Sequence, residues 1–186
     1  MNILVKPKEE WRAVASENDE NIKAPTVYLL ILALIPAVAS FISWGLIGGK
    51  VLFIRYANPG LGLRLAAAQY LSIIAGAYLT ALVFYFLAPN FGARKRFDKA
   101  FQLVAYCYTA VCIGGIFYIY WGISFLAAIA SLYSLYLLYL GLEPLMQVPK
   151  EKLTGYFLVG LIVMIVVSVV VNVILGSVFD VRSLTY

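Results

Sequence analysis

The chain has 186 residues, 63% of them apolar and 12% charged, with a mean hydropathy of +0.92 and a net charge of +5. Soluble domains run near half apolar and a quarter charged, so a water-soluble globule is excluded and lipid must act as solvent. The basic residues sit in short segments between apolar runs, which reads as membrane topology rather than nucleic-acid binding. The length leaves room for one membrane domain and no separate soluble one.

Residues 1–24 are polar and too charged to hold the apolar stretch of a cleavable signal, so the first span is expected to serve as its own insertion signal. Within them, 7–16 reads as a short amphipathic helix. Pro7 suits a first helical position, Glu9 and Glu10 favour the positive end of the dipole, and Trp11, Val14 and Ala15 share one narrow apolar face. That face either lies at the headgroup interface, with Trp11 as a lipid contact, or packs on the protein's own loops.

The membrane domain is expected over 25–179. The first span reads as 25–47, with Pro36 near its middle as a kink. A turn-rich link to residue 63 carries Arg55, Asn58, Pro59 and Gly60. The second span reads as 65–88, closed by Pro89 and Asn90. A short loop follows with Arg94, Lys95, Arg96 and Lys99. The third span reads as 100–120, and Trp121 and Gly122 make an uncharged connection to the fourth at 123–142. A polar loop with Glu143, Pro144, Pro149, Lys150 and Lys152 leads to the fifth at 156–179, which is Val- and Ile-rich and free of charge. Residues 180–186 form a short outward tail. With five spans, the N-terminus, the second-to-third loop and the fourth-to-fifth loop share one side and hold four, four and two of the 14 Lys and Arg residues. The positive-inside rule then puts the N-terminus in the cytoplasm and the C-terminus outside. The fold class is thus an all-α polytopic bundle of five transmembrane helices with a short N-terminal interfacial helix.

No ionisable residue lies near the middle of any span, which argues against a coupled pump and against an enzyme. Histidine is absent, there is no metal-spaced cluster or nucleophile–base pair, and no cofactor is expected. Cys107 and Cys112 fall on different faces of one helix and read as two structural thiols. Small-residue stripes run along the second span (Ala68, Ser72, Gly76, Thr80) and the fifth (Gly160, Ser168, Asn172, Gly176), and suit close helix packing within the chain or against a second copy. Asn172 and Gln69 need partners in lipid, which interhelical hydrogen bonds would supply. Tyr133, Tyr136 and Tyr139 share a face of the fourth span, either as packing or as an aromatic groove. Glu143 and Asp98 lie on the same side as the basic loop and suit ion pairs or a partner surface. Arg94, Lys95 and Arg96 suit anionic headgroups.

Several stretches in this order resemble the YIP family, multi-span proteins first named for interaction with Rab-type GTPases. They are the opening from Pro7 to Trp11, LAPNFG at 87–92, KAFQLVAY at 99–106, LYSLYLLYLGL at 132–142 and VPKEK at 148–152. The resemblance covers nearly the whole chain and implies five helices with a cytoplasmic N-terminus. It looks most like a compact prokaryotic branch in the cytoplasmic (inner) membrane, without the long soluble segment of eukaryotic relatives. It carries over no catalytic residues, and fold does not fix function. The leading expectation is a non-catalytic component of membrane organisation that associates with lipids, with itself or with another membrane protein. The alternative is a transporter or channel for a small or lipidic molecule, with a cavity lined by Tyr106, Tyr133, Tyr136 and Asn172.

Overall fold

Asn58 sets where the second long helix begins. Its side-chain Oδ1 accepts from the backbone N–H groups of Gly60 (2.9 Å) and Leu61 (3.2 Å), and Pro59 takes the first position, where a missing N–H costs nothing. The helix therefore starts six residues ahead of the expected 65. The computed structural model describes residues 3–16, 22–51 and 54–179. In chain order its helices are α1 (Pro7–Ser16), α2 (Lys23–Phe41), α3 (Pro59–Leu87), α4 (Phe97–Gly114), α5 (Phe125–Met146) and α6 (Lys150–Val178). A π-helical turn at Ile42–Ile47 prolongs α2, and 3₁₀ turns at Ala88–Phe91 and Gly115–Ile119 prolong α3 and α4. The five long elements are each long and apolar enough to cross a bilayer, which bears out the five-span reading. The tail at 180–186 lies outside the described residues.

The expected spans were too short at the ends where polar residues continue a helix. Helix α5 runs beyond 142 through Pro144 to Met146, and the bond that Pro144 cannot make is lost close to the helix end, where no long stretch follows to be kinked. Gln147, at φ 51°, then ends it. Helix α6 starts at Lys150 rather than 156, directly after Pro149 and with Glu151 in its first turn. The link after α2 is more ordered than a turn-rich loop. Gly49–Val51 (β1) pairs antiparallel with Ile54–Tyr56 (β2), Lys50 facing Arg55 in the register.

Helix α4 is the axis of the bundle. It packs against α2, α3 and α5, and 72% of its most apolar window is buried, against 11% for α6. Phe101, Leu103, Val104, Ala105 and Cys112 are fully enclosed. Cys107 and Cys112 are both free and buried. Ser134 on α5 donates to the Cys107 carbonyl (2.8 Å), and the hydroxyls of Tyr28 and Thr109 bond across α2 and α4 (2.8 Å). Pro36 packs its ring carbons against Gly115, where a side chain would collide with it. Helix α6 lies mainly on α3: Tyr156 donates to the Phe84 carbonyl (2.6 Å), and Gly160 lets the Phe84 ring press onto its backbone. Leu158 already faces outward, and beyond Gly160 the neighbours thin out, with Ile162, Ile165, Val169 and Val173 exposed.

Candidate functional site

The N-terminal segment is built into the bundle. Helix α1 packs against α5, and Trp11 is only 1% exposed. Its ring lies over Gly141, where an added Cβ would sit 2.9 Å from Trp11 Cε2 and would also meet Leu103. Trp11 is therefore a core residue and not a ring lying exposed at the headgroup interface. The apolar face that suggested an interface is narrow because one large ring and Val14 suffice to fill the space beside α5 and α4. Two further ties hold the segment. Tyr133 donates to the Leu4 carbonyl (2.8 Å), and the buried Lys99 ammonium donates to the Val14 carbonyl in the last turn of α1 (3.2 Å), where a cation complements the helix dipole. Sequence reasoning placed Lys99 among loop bases; its role was hidden because the carbonyl it meets is far away in the chain.

These ties fix the height of α1. Tyr133 lies roughly 20 Å along α5 from its end at Met146, at 1.5 Å per residue. Helix α1 therefore runs beside α5, from the level of Tyr133 outward past Gly141 to Lys99. Its outer side is charged: Lys6 pairs with Glu9 (3.5 Å) and both are exposed, as are Lys8 and Arg12. On α6, Phe157 stacks edge-on with Tyr139 (5.4 Å), so exposed Leu158 stands near that height and exposed Ile162 roughly 7 Å further along the helix.

Beside α1 the structure opens a cavity of about 730 Å³ between α1 and the end of α5. Its walls are Lys8, Trp11, Arg12, Leu140, Glu143, Pro144, Gln147, Val148 and Pro149. Glu143 also pairs with Lys150 (3.7 Å) at the rim. Nearby, Arg96 forms a bidentate pair with Asp98 (2.7 and 3.2 Å), Lys95 lies over the rings of Tyr85 and Phe86 (5.0 and 5.9 Å), and the Arg94 backbone donates its N–H to the Met146 carbonyl (2.9 Å) and accepts from the Arg96 N–H (3.0 Å). Asp98 and Glu143 thus make two separate pairs rather than one cluster.

The tyrosines and Asn172 do not converge. Tyr106 is a core ring against Tyr28 and Trp11. Tyr133 is engaged with Leu4 and lines an apolar groove of about 410 Å³ with Ala110, Phe117 and Ile129. Tyr136 and Tyr139 are exposed. Asn172 lies in a shallow dent on α6 and donates to the Ser168 carbonyl of its own helix (2.8 Å) instead of bonding between helices. The stripes divide likewise. Gly76 faces the Tyr108 hydroxyl and Gly160 the Phe84 ring, Ser72 is half-buried, but Ser168 is exposed and nothing lies near Gly176. Packing within the chain therefore uses the first part of the α6 stripe and leaves the rest open. Among the described residues no group of three or more Cys, Asp or Glu side chains is placed to hold a metal.

A family model for the Yip1 domain matches residues 1–172, from the buried N-terminal segment to Asn172. The chain belongs to the Yip1 family. Among curated proteins it is similar to the inner membrane protein YohC of Escherichia coli K12, at 24% identity over 154 residues, covering 78% of this chain and 77% of that one. It matches the same protein from Escherichia coli O6:H1 equally. No solved structure matches it. The matched Yip1 region includes α1, in keeping with the way that helix completes the core.

Proposed function

We propose that this Yip1-family chain is a non-catalytic component of the inner membrane that organises the lipid around it. Its N-terminus is cytoplasmic, and it thins or dimples the leaflet beside α1. The observation that carries this reading is the mismatch in height between two flanks. On the α1 flank, Lys6 and Glu9 are exposed near the level where α6, on α3, exposes Leu158. Hydrocarbon cannot cover both at the same height without solvating charge. Headgroups and water must dip beside α1, at a cost of fractions of a kcal/mol per ångström of mismatch. The excess of Lys and Arg on the α1 side supports the orientation, and the likeness to the inner membrane protein YohC supports the membrane. Small-angle scattering from vesicles with rising protein content tests it: bilayer thickness should fall, and should fall less with Lys6, Lys8, Glu9 and Arg12 all changed to Leu. Thickness independent of protein content would overturn it.

A second reading, self-association, is favoured by Asn172, an exposed amide on an otherwise apolar helix face next to Ser168 and Gly176.

A further inference from the structure

The cavity beside α1 carries a recognition chemistry that the bundle does not use. Trp11 is one of its walls, and the indole N–H of Trp11 is buried with no hydrogen-bond partner among the described residues. A buried donor left without an acceptor is costly, so it points to an acceptor that comes from outside. Lys8 and Arg12 stand one turn apart on α1 and line the same cavity. Neither makes an ion pair among the described residues. The one carboxylate in the walls, Glu143, is engaged with Lys150. Two cations and one N–H donor against one paired carboxylate select an anion. Gln102 Oε1 is also buried without a partner, but Gln102 is not a wall of this cavity and is an acceptor, so it does not alter that sign.

We infer that this cavity binds the phosphate of a phospholipid headgroup, held by Lys8 and Arg12 and by the Trp11 indole N–H. Lipid is favoured over a soluble phosphate by height. The cavity lies along the flank of α5 from Leu140 to Gln147, where a neighbouring lipid reaches it sideways while its chains lie against the apolar groove lined by Leu4, Ile129 and Tyr133. The inference concerns binding alone and stands whether or not the bilayer thins.

The full chain in detergent, stripped of lipid and labelled with ¹⁵N at tryptophan, provides the test. The Trp11 indole resonance is assigned as the one missing in Trp11→Phe or, should that variant not fold, as the one moved by Gly141→Ala. Phosphatidylglycerol should shift the Trp11 resonance downfield and leave Trp44 and Trp121 in place. Lys8→Gln with Arg12→Gln, both exposed positions that the core does not need, should weaken lipid binding by about tenfold or more, read by native mass spectrometry. Diacylglycerol, which lacks the phosphate, should not move the resonance. An equal response to diacylglycerol, or unchanged binding in the double variant, overturns the proposal. A full shift with millimolar inorganic phosphate alone would reassign the site to a soluble anion and overturn the lipid assignment.

Discussion

Gly141 shows how a single missing methyl group admits the N-terminal segment to the bundle. Trp11 rests directly on its backbone, and a side chain there must push the indole outward. Gly141→Val is expected to destabilise the protein by about 1–3 kcal/mol, as overpacking does, and to release α1 to protease before the rest of the chain unfolds. Uniform resistance of 3–16 in that variant would mean that the segment is held elsewhere. The Tyr156 hydroxyl makes a smaller contribution. Its bond to the Phe84 carbonyl joins α6 to α3, and Tyr156→Phe should cost about 1 kcal/mol in denaturant unfolding. Little of this was legible in the sequence. Trp11 was correctly placed on an apolar helical face, but periodicity says which side is apolar and not whether lipid or protein covers it. The Lys99–Val14 and Tyr133–Leu4 bonds join positions far apart in the chain, and no local pattern encodes them.

At the scale of elements the sequence was far more informative, because bilayer thickness and charge placement constrain helices strongly. All five spans and the N-terminal helix were evident from apolar runs, Pro7 and the paired Glu9 and Glu10. Their ends were not, since a transmembrane helix continues into polar residues as long as its backbone is satisfied. Pro59, Pro144 and Lys150 lie inside helices for that reason. The ribbon at Gly49–Val51 and Ile54–Tyr56 was missed although Val51, Ile54 and Tyr56 are strand formers, because Asn58, Pro59 and Gly60 dominated the reading of that link. Asn58 in fact belongs to α3. Asn58→Ala should cost about 1 kcal/mol and speed amide exchange in the first turn of α3 while leaving α4 and α5 protected. Equal protection of Gly60 and Leu61 before and after the change would show that the cap contributes nothing there.

The whole molecule is asymmetric: α4 is enclosed on most sides, while α6 meets α3 and, near its start, α5, and offers the rest to its surroundings. Lipid alone is an adequate solvent for the Val and Ile residues of that surface, but not for Asn172. Its Nδ2 donates to the Ser168 carbonyl, which leaves the amide oxygen without a partner among the described residues roughly 9 Å before the helix ends at Val178. An acceptor at that depth gains from a donor on another helix, and the nearest equivalent is Asn172 of a second copy meeting it across a two-fold axis. Ser168 and Gly176 flank it at intervals of four and allow the two backbones to approach. Amide bonds between membrane helices contribute about 0.6–2 kcal/mol, so Asn172→Leu should weaken the dimer by roughly 3- to 30-fold. Gly176→Leu should weaken it further by holding the helices apart, and neither change should alter folding, since Asn172 is exposed and nothing among the described residues lies against a side chain at Gly176. Energy transfer between labelled copies in vesicles, followed as lipid dilutes the protein, would read both effects. Copies that separate at the same dilution with and without Asn172 would leave α6 facing lipid alone.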